Sequence, residues 1–290
     1  MASRWTRPSR VTGATGHLGR HTVEQLLEKV PADQITAVVR TQQKAADFAE
    51  RGVRIAVADY NVPETFDRLF SPGDKVLLIS GNEFDKGRVG QHRVVLDAAK
   101  EAGVALFAYT SAPGGLTAAL ADDHRATEEA VLASGVPYVL LRNGWYNENY
   151  TEHLAPVLEH GTVVHAAGEG RLTSAARADY AAAAVAVLTG EGHENKTYEL
   201  GGDEAWDFAE FAAEVARHSG KEISYAPVSV KAYTGILTGA GLPEPLAAVF
   251  AGVDASIEKG ELAVLTGDLS RLTGRPATTI SASIAAALKG

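Results

Sequence analysis

Cysteine is absent from the 290 residues, which excludes disulfides, thiolate nucleophiles and cysteine-held metals. Long apolar runs are missing too. None reaches the roughly 18 residues a membrane-spanning helix needs, and mean hydropathy is −0.05. Positive charge is scarce: 27 Lys and Arg face 36 Asp and Glu, a formal net charge of −9. A surface of that sign repels a phosphate backbone, and no cluster of Lys or Arg interleaved with aromatics offsets it, so nucleic acid is not an expected partner. The histidines show no H-E-x-x-H spacing for a metal, and no G-x-S-x-G elbow exists for an acyl-transfer serine. The opening MASRWTRPSR is basic but leads into Val11-Thr12-Gly13, not into an apolar core of roughly 7 to 15 residues, so it does not read as a secretory signal. What these absences leave is a soluble, cytoplasmic protein that handles small molecules, with no membrane partner.

What is present is rhythm. Short apolar runs at residues 11–12, 35–39, 53–57, 76–79, 106–109 and 138–141 alternate with amphipathic stretches, the pattern of a parallel sheet wrapped by helices. Continuously apolar runs are expected of strands buried on both faces. Between the first two, Val23, Leu26, Leu27 and Val30 recur at helical spacing and mark one buried stripe. The first strand is weakly written, because Ser9 and Arg10 stand where apolar residues belong. Beyond Asn143 the rhythm loosens. A helix is expected over 150–160, a strand over 162–165, a helix opening near Asp179 and a strand over 197–200. Asp207 with Glu210 forms a capping box for a helix that Gly220 ends. The Gly-, Pro- and Ala-rich stretch 239–267 reads as a lid or short helices. The predicted fold is α/β: a doubly wound parallel sheet of the Rossmann type in residues 1–145, then a smaller α/β substrate lobe in 146–290 with segments returning to the sheet.

VTGATGHLG places glycines at 13, 16 and 19 between a strand and a helix. Such a triplet makes a tight turn at Gly13, brings backbone close to a pyrophosphate at Gly16 and lets the helix pack at Gly19, with free N–H groups at the helix start facing the phosphates. Ala14, Thr15, His17 and Leu18 are the other residues of that turn. The second apolar run ends in Arg40. An acid there would suit the ribose of NAD, whereas an arginine suits the 2′-phosphate of NADP, so NADPH is expected in preference to NADH, with Lys44 assisting; the alternative is a solvated strand-end charge. Asp59 could hold the adenine amino group or be a plain turn residue. Ser80, Gly81 and Asn82 offer small residues where a dinucleotide passes close to backbone.

Several longer stretches, among them VTGATGHLGR, VLLISGNE, QHRVVLDAAKEAGV, ADDHRATEEAVLASGVPYVLLRNGWYNENY and AAGEGRLTSAARADYAAA, resemble the NmrA-like atypical short-chain dehydrogenases, and within them the bacterial NADPH:quinone oxidoreductases. The resemblance covers nearly the whole chain. It implies an NADPH-binding domain, a smaller substrate lobe and hydride delivery to quinones, and it adds Ala14, Thr15, His17 and Leu18 of the glycine turn and Asn143, Gly144, Trp145, Tyr146 and Asn147 to the cofactor contacts. A homodimer is the assembly considered. The family also includes redox-sensing regulators that bind the cofactor without turnover. A tailoring oxidoreductase or oxygenase of polycyclic aromatic natural products is a third reading. The segment APGGLTAALADDH, which should wall the substrate side, is shorter than expected.

Short-chain dehydrogenases usually carry a Tyr and, four residues later, a Lys where this chain has His124 and Glu128. A ketone's alkoxide needs a committed proton donor, but a hydroquinone anion is a far weaker base that water can protonate. The exchange therefore argues against alcohol chemistry and is compatible with quinone reduction or with no chemistry. His124 is a candidate acid, or a helix-surface histidine. Ser111 is a candidate for orienting a substrate oxygen, or a strand-end cap. Tyr146 and Trp145 could stack a planar ring, or pack in the core. The acid pairs Asp122-Asp123 and Glu128-Glu129 read as solvated helix faces.

Overall fold

The computed structural model describes residues 7–83 and 87–289. The chain runs β1 (Ser9–Thr12), α1 (His17–Leu27), β2 (Ile35–Val39), α2 (Ala46–Glu50), β3 (Arg54–Val57), β4 (Lys75–Leu78), α3 (Arg88–Ala102), β5 (Leu106–Ser111), α4 (Leu120–Ser134) and β6 (Tyr138–Asn143). It continues with β7 (Trp145–Tyr146), α5 (Glu148–Thr151), α6 (Leu154–His160), β8 (Thr162–His165), β9 (Ser174–Ala175), α7 (Arg177–Thr189) and β10 (Lys196–Leu200). It closes with α8 (Phe208–Ser219), β11 (Ser224–Pro227), α9 (Val230–Gly239), α10 (Glu244–Glu258), α11 (Asp268–Thr273) and α12 (Ile280–Ala287). Two compact units result. The first holds Met1–Ser111, Asp123–Arg142 and Arg177–Tyr198; the second holds Ala112–Asp122, Asn143–Ala176 and Glu199–Gly290.

The main sheet has seven strands in the order β10-β6-β5-β4-β1-β2-β3. Strands β1 to β6 pair parallel throughout. Successive strands go outward from β1 to β3, then the chain returns to lay β4 on the other side of β1. The carboxyl ends of β1 and β4 thus flank the topological switch point, where open α/β sheets bind ligands. Central strands β2, β4 and β5 are buried at every residue, as their continuous apolar runs predict. The β3 edge departs from that expectation: its ends are exposed, because only one side of it is covered by a neighbouring strand.

The weakly written β1 forms from Ser9, including both polar positions. Its register against β2 and β4 places Arg10 between Thr36 and Val76. The charge is tolerated because Arg10 Nε lies 2.8 Å from Oδ2 of Asp74, a residue only 1% exposed, and the guanidinium also bonds Thr36. A paired internal charge can sit in a central strand where an unpaired one would be prohibitive. Residues 1–6 of the basic opening segment lie outside the described residues.

In the second unit β8 and β11 pair parallel, as do β7 and β9. Its core gathers Leu116, Tyr150, Trp206, Phe208, Phe211 and Ile257 with their neighbours. The expected capping box is formed, Asp207 accepting from Glu210 N while Glu210 accepts from Asp207 N, and Gly220 ends α8 in the left-handed region. Within 239–267, where a lid or short helices were expected, Glu244–Glu258 forms a helix of 15 residues. Its small residues, among them the buried Ala247 and Ala251, let it pack closely against α9.

Candidate functional site

The turn after β1 has the geometry of an anion cradle. Gly13 sits at φ +61°, a left-handed conformation natural to glycine, and its carbonyl accepts from Gly16 N at 2.9 Å. The first backbone bond inside α1 is Arg20 N to Gly16 O. The amides of His17, Leu18 and Gly19 therefore have no partner within the helix, no side chain caps them, and no acid occupies the first turn. A Cβ on Gly19 would stand 2.2 Å from Gly13 O and 2.8 Å from Ala14 Cα, so only glycine lets α1 approach this turn. Gly13, Gly16 and His17 are exposed and Thr15 is half-buried, whereas Ala14, Leu18 and Gly19 face the packing. Of the seven cradle residues, then, four face outward and three hold the turn in place.

Arg40 follows β2 with its side chain 63% exposed, and its Nη1 lies 3.1 Å from Glu83 Oε1. Lys44 lies on the exposed turn that follows. Asp59 uses Oδ1 to accept from both the backbone N and Nδ2 of Asn61, so it braces its own turn. Ser80 N donates to Thr110 Oγ1 at 2.9 Å, and Gly81 N to His92 Nε2 at 3.0 Å, so the strand-end segment Ser80-Gly81 is pinned from below while Asn82 is exposed.

That second bond opens into a buried polar network the sequence did not announce. Because Gly81 donates to His92 Nε2, the ring proton must sit on Nδ1, 2.9 Å from Thr127 Oγ1, whose own proton goes to Asp123 O at 2.8 Å. His124 belongs to the same cluster and is 8% exposed. Arg88, which can only donate, reaches His124 Nε2 at 2.9 Å, leaving Nδ1–H for Tyr109 OH at 2.8 Å. Both rings are thereby held neutral. Burial, helped by the Arg88 charge, depresses His92 to about 3 and His124 well below the ordinary range. Burial likewise pushes the Tyr109 hydroxyl up.

Glu128 is not on a solvated face. It is 6% exposed and forms a two-pronged pair with Arg142, Oε1 to Nε at 3.0 Å and Oε2 to Nη2 at 2.7 Å, tying α4 to β6. The expectation of solvation fails because Glu128 lies one turn from His124 on the face of α4 that meets the sheet. Arg88, His92, Tyr109 and Thr127 were missed, although a signal existed: His92 is in phase with Val95, Leu96 and Ala99 at i+3, i+4 and i+7, the buried stripe of α3.

Ser111 ends β5, in register with Arg142 of β6, and its buried Oγ has no hydrogen-bond partner. Asn143 Oδ1, at the end of β6, is orphaned in the same way. Orphaned buried polar atoms at strand ends are what a polar ligand satisfies. Gly144 is buried, with its N–H donating to Leu200 O, while Trp145 and Tyr146 are half-buried in β7 against β9. Asn147 is fully buried and spends its amide on Thr278 O, Ser283 Oγ and Ser174 Oγ, which removes it from ligand contact. The segment 112–122 is anchored in the second unit, Leu116 in its core and Thr117 on Glu261. Among the described residues no acid–histidine group could hold a metal, and no helix is long and apolar enough to cross a membrane.

The glycine turn, the uncapped α1 and a strand-end arginine fit a phosphorylated dinucleotide, and comparison with known proteins agrees. Residues 13–191 match the family model described as NAD(P)H-binding. The chain is 44% identical to quinone oxidoreductase 2 of Escherichia coli strain K12 over 276 residues, 94% of this chain and 96% of that one. The solved NADPH-dependent quinone oxidoreductase of Escherichia coli, complexed with NADPH, matches with a TM-score of 0.93 at 43% identity, covering 97% of this chain and 99% of the other. The Citrobacter triphenylmethane reductase complexed with NADP(H) matches with a TM-score of 0.92 at 40% identity, over 96% and 99%. This chain belongs to the NAD(P)H-binding family and, within the short-chain dehydrogenases, to its NmrA-like reductases.

Proposed function

We propose that this protein is a reductase that uses NADPH to reduce quinones or related planar aromatic ketones. The observation that carries the reading is the commitment of positions 124 and 128. His124 has both ring nitrogens engaged inside the first unit, and Glu128 is paired with Arg142. Neither is disposed to serve an alkoxide. A quinone avoids the need, since its two-electron reduction gives a hydroquinone anion that water protonates. His124 then positions α4 against α3 and β5.

Bound NADPH supplies the hydride. The amides of His17, Leu18 and Gly19, presented by Gly13, Ala14, Thr15 and Gly16, hold the pyrophosphate; Arg40, with Lys44, holds the 2′-phosphate. Ser80, Gly81 and Asn82 line the path of the dinucleotide, Asp59 takes the adenine end, and Asn143 and Gly144 the nicotinamide end. Ser111 Oγ, free of other partners, orients a carbonyl oxygen. Trp145 and Tyr146 stack the planar ring. Relatives named for quinones and for triphenylmethane support a conjugated, hydride-accepting substrate. We place the reaction in the cytoplasm on the acidic, cysteine-free composition.

The test is NADPH oxidation against a panel of quinones, with and without oxygen. Hydroquinone formation at the same rate in both conditions is expected. Tight NADPH binding without turnover of any quinone would overturn the reading in favour of a cofactor-sensing regulator.

A further inference from the structure

Arg40 does not face the cofactor side alone. Its partner Glu83 is fixed by donors from three separate segments: Arg40 Nη1 on Oε1 at 3.1 Å, and Asn61 Nδ2 and Gln91 Nε2 on Oε2 at 3.1 and 3.0 Å. The Glu83 side chain is only 22% exposed. Gln91 is itself oriented, its Nε2 also donating to Asn61 Oδ1 at 2.9 Å. Asn61 in turn links Glu83 to Asp59, its Nδ2 reaching Asp59 Oδ1 at 3.2 Å. The end of β2 therefore presents one guanidinium beside the Glu83 carboxylate, to which Asp59 is linked through Asn61, with Lys44 as the other nearby cation in sequence. A carboxylate that accepts from one arginine and two amides is held where it is, and it takes up part of the guanidinium's hydrogen-bonding capacity.

We propose that Glu83 is a specificity-determining residue, a built-in competitor for Arg40 that limits the preference for NADPH over NADH. This rests on the reading that Arg40 holds the 2′-phosphate. A dianionic phosphate drawn to Arg40 meets the Glu83 charge at close range and must share the guanidinium with it. NADH, which carries a hydroxyl at that position, meets no repulsion and finds in Glu83 the kind of acceptor that acids provide for ribose hydroxyls. The competition is worth what a partly exposed pair is worth, so its removal should change affinity by about threefold to fivefold. It should fade as salt screens it.

The experiment is equilibrium titration of NADPH and of NADH, followed by nucleotide fluorescence, on the unmutated protein, Glu83→Gln, Arg40→Ala and the double variant, at low and high salt. Glu83→Gln keeps the acceptor for Asn61 and Gln91 while deleting the charge, and its unfolding midpoint should match the parent. The expected result is NADPH bound about threefold to fivefold more tightly by Glu83→Gln at low salt, NADH changed less than about twofold, and most of the NADPH gain lost when Arg40 is also absent. Unchanged or weaker NADPH binding by Glu83→Gln, with Arg40→Ala still collapsing the NADPH preference, overturns the role of Glu83 alone. If Arg40→Ala leaves the ratio of the two affinities where it was, the phosphate assignment falls and the Glu83 proposal with it.

Discussion

At the scale of single residues, His124 shows how position and role separate. The resemblance read from the sequence puts it where short-chain dehydrogenases carry a tyrosine, yet its ring bridges Arg88 and Tyr109 in a buried network. Replacing it by Ala deprives two buried groups of a partner, which costs about 1–3 kcal/mol. We expect His124→Ala to lower the thermal midpoint by several degrees while the turnover of folded enzyme falls far less than the roughly hundredfold expected for loss of a committed general acid. Calorimetry and quinone turnover on the same sample check both halves, and a collapse of turnover with stability and NADPH affinity intact would make His124 the proton donor. Trp145→Ala should instead raise KM for the quinone with kcat little changed, since stacking acts on the bound ring in ground and transition states alike.

At the scale of elements, the unit that matters is β1, its turn and α1. The helix can approach because residue 19 has no side chain, and the approach is what aims the amides of His17, Leu18 and Gly19 at one spot. A methyl at 19 must displace backbone, since Gly13 O and Ala14 Cα leave it no room. At 16 the nearest atom is Gly13 O at 3.3 Å, a contact that small adjustments relieve. Gly19→Ala should therefore destabilise the protein by about 1–3 kcal/mol and weaken NADPH binding together. Gly16→Ala should leave urea stability near the parent while still weakening NADPH, because its methyl intrudes on the ligand's side. Equal stability of the two variants would show that α1 does not depend on close packing at Gly19.

For the whole molecule, the buried histidines predict an acid limit. His92 is depressed from its ordinary 6.5 to about 3, and His124 is lowered well below 6.5. In the unfolded chain both take up a proton near 6.5, whereas the native rings stay neutral until far lower pH. Their contribution is thus complete above pH 6.5 and is lost progressively as pH falls from there toward 3. The thermal midpoint should be level in their respect above neutrality and decline through that window. His92→Gln, which keeps an acceptor for Gly81 N, should make the decline shallower; an unchanged slope would show that His92 titrates normally.

What could be read along the chain was whatever local spacing encodes. Alternating apolar runs identified the parallel sheet, the glycines at 13, 16 and 19 located the cradle, and Asp207 with Glu210 marked a helix start, because turn geometry, helix period and caps act over a few residues. Even β1 was findable from the turn after it, although the reason Arg10 is tolerated there, Asp74, lies 64 residues away. The polar network of Arg88, His92, Tyr109, His124 and Thr127, the Glu128–Arg142 pair and the Glu83 clamp on Arg40 were decided by tertiary structure alone. Each joins groups far apart along the chain, and whether a His or Glu is buried and paired or solvated depends on which face the sheet covers and what meets it there. Spacing along one helix carries no record of that partner.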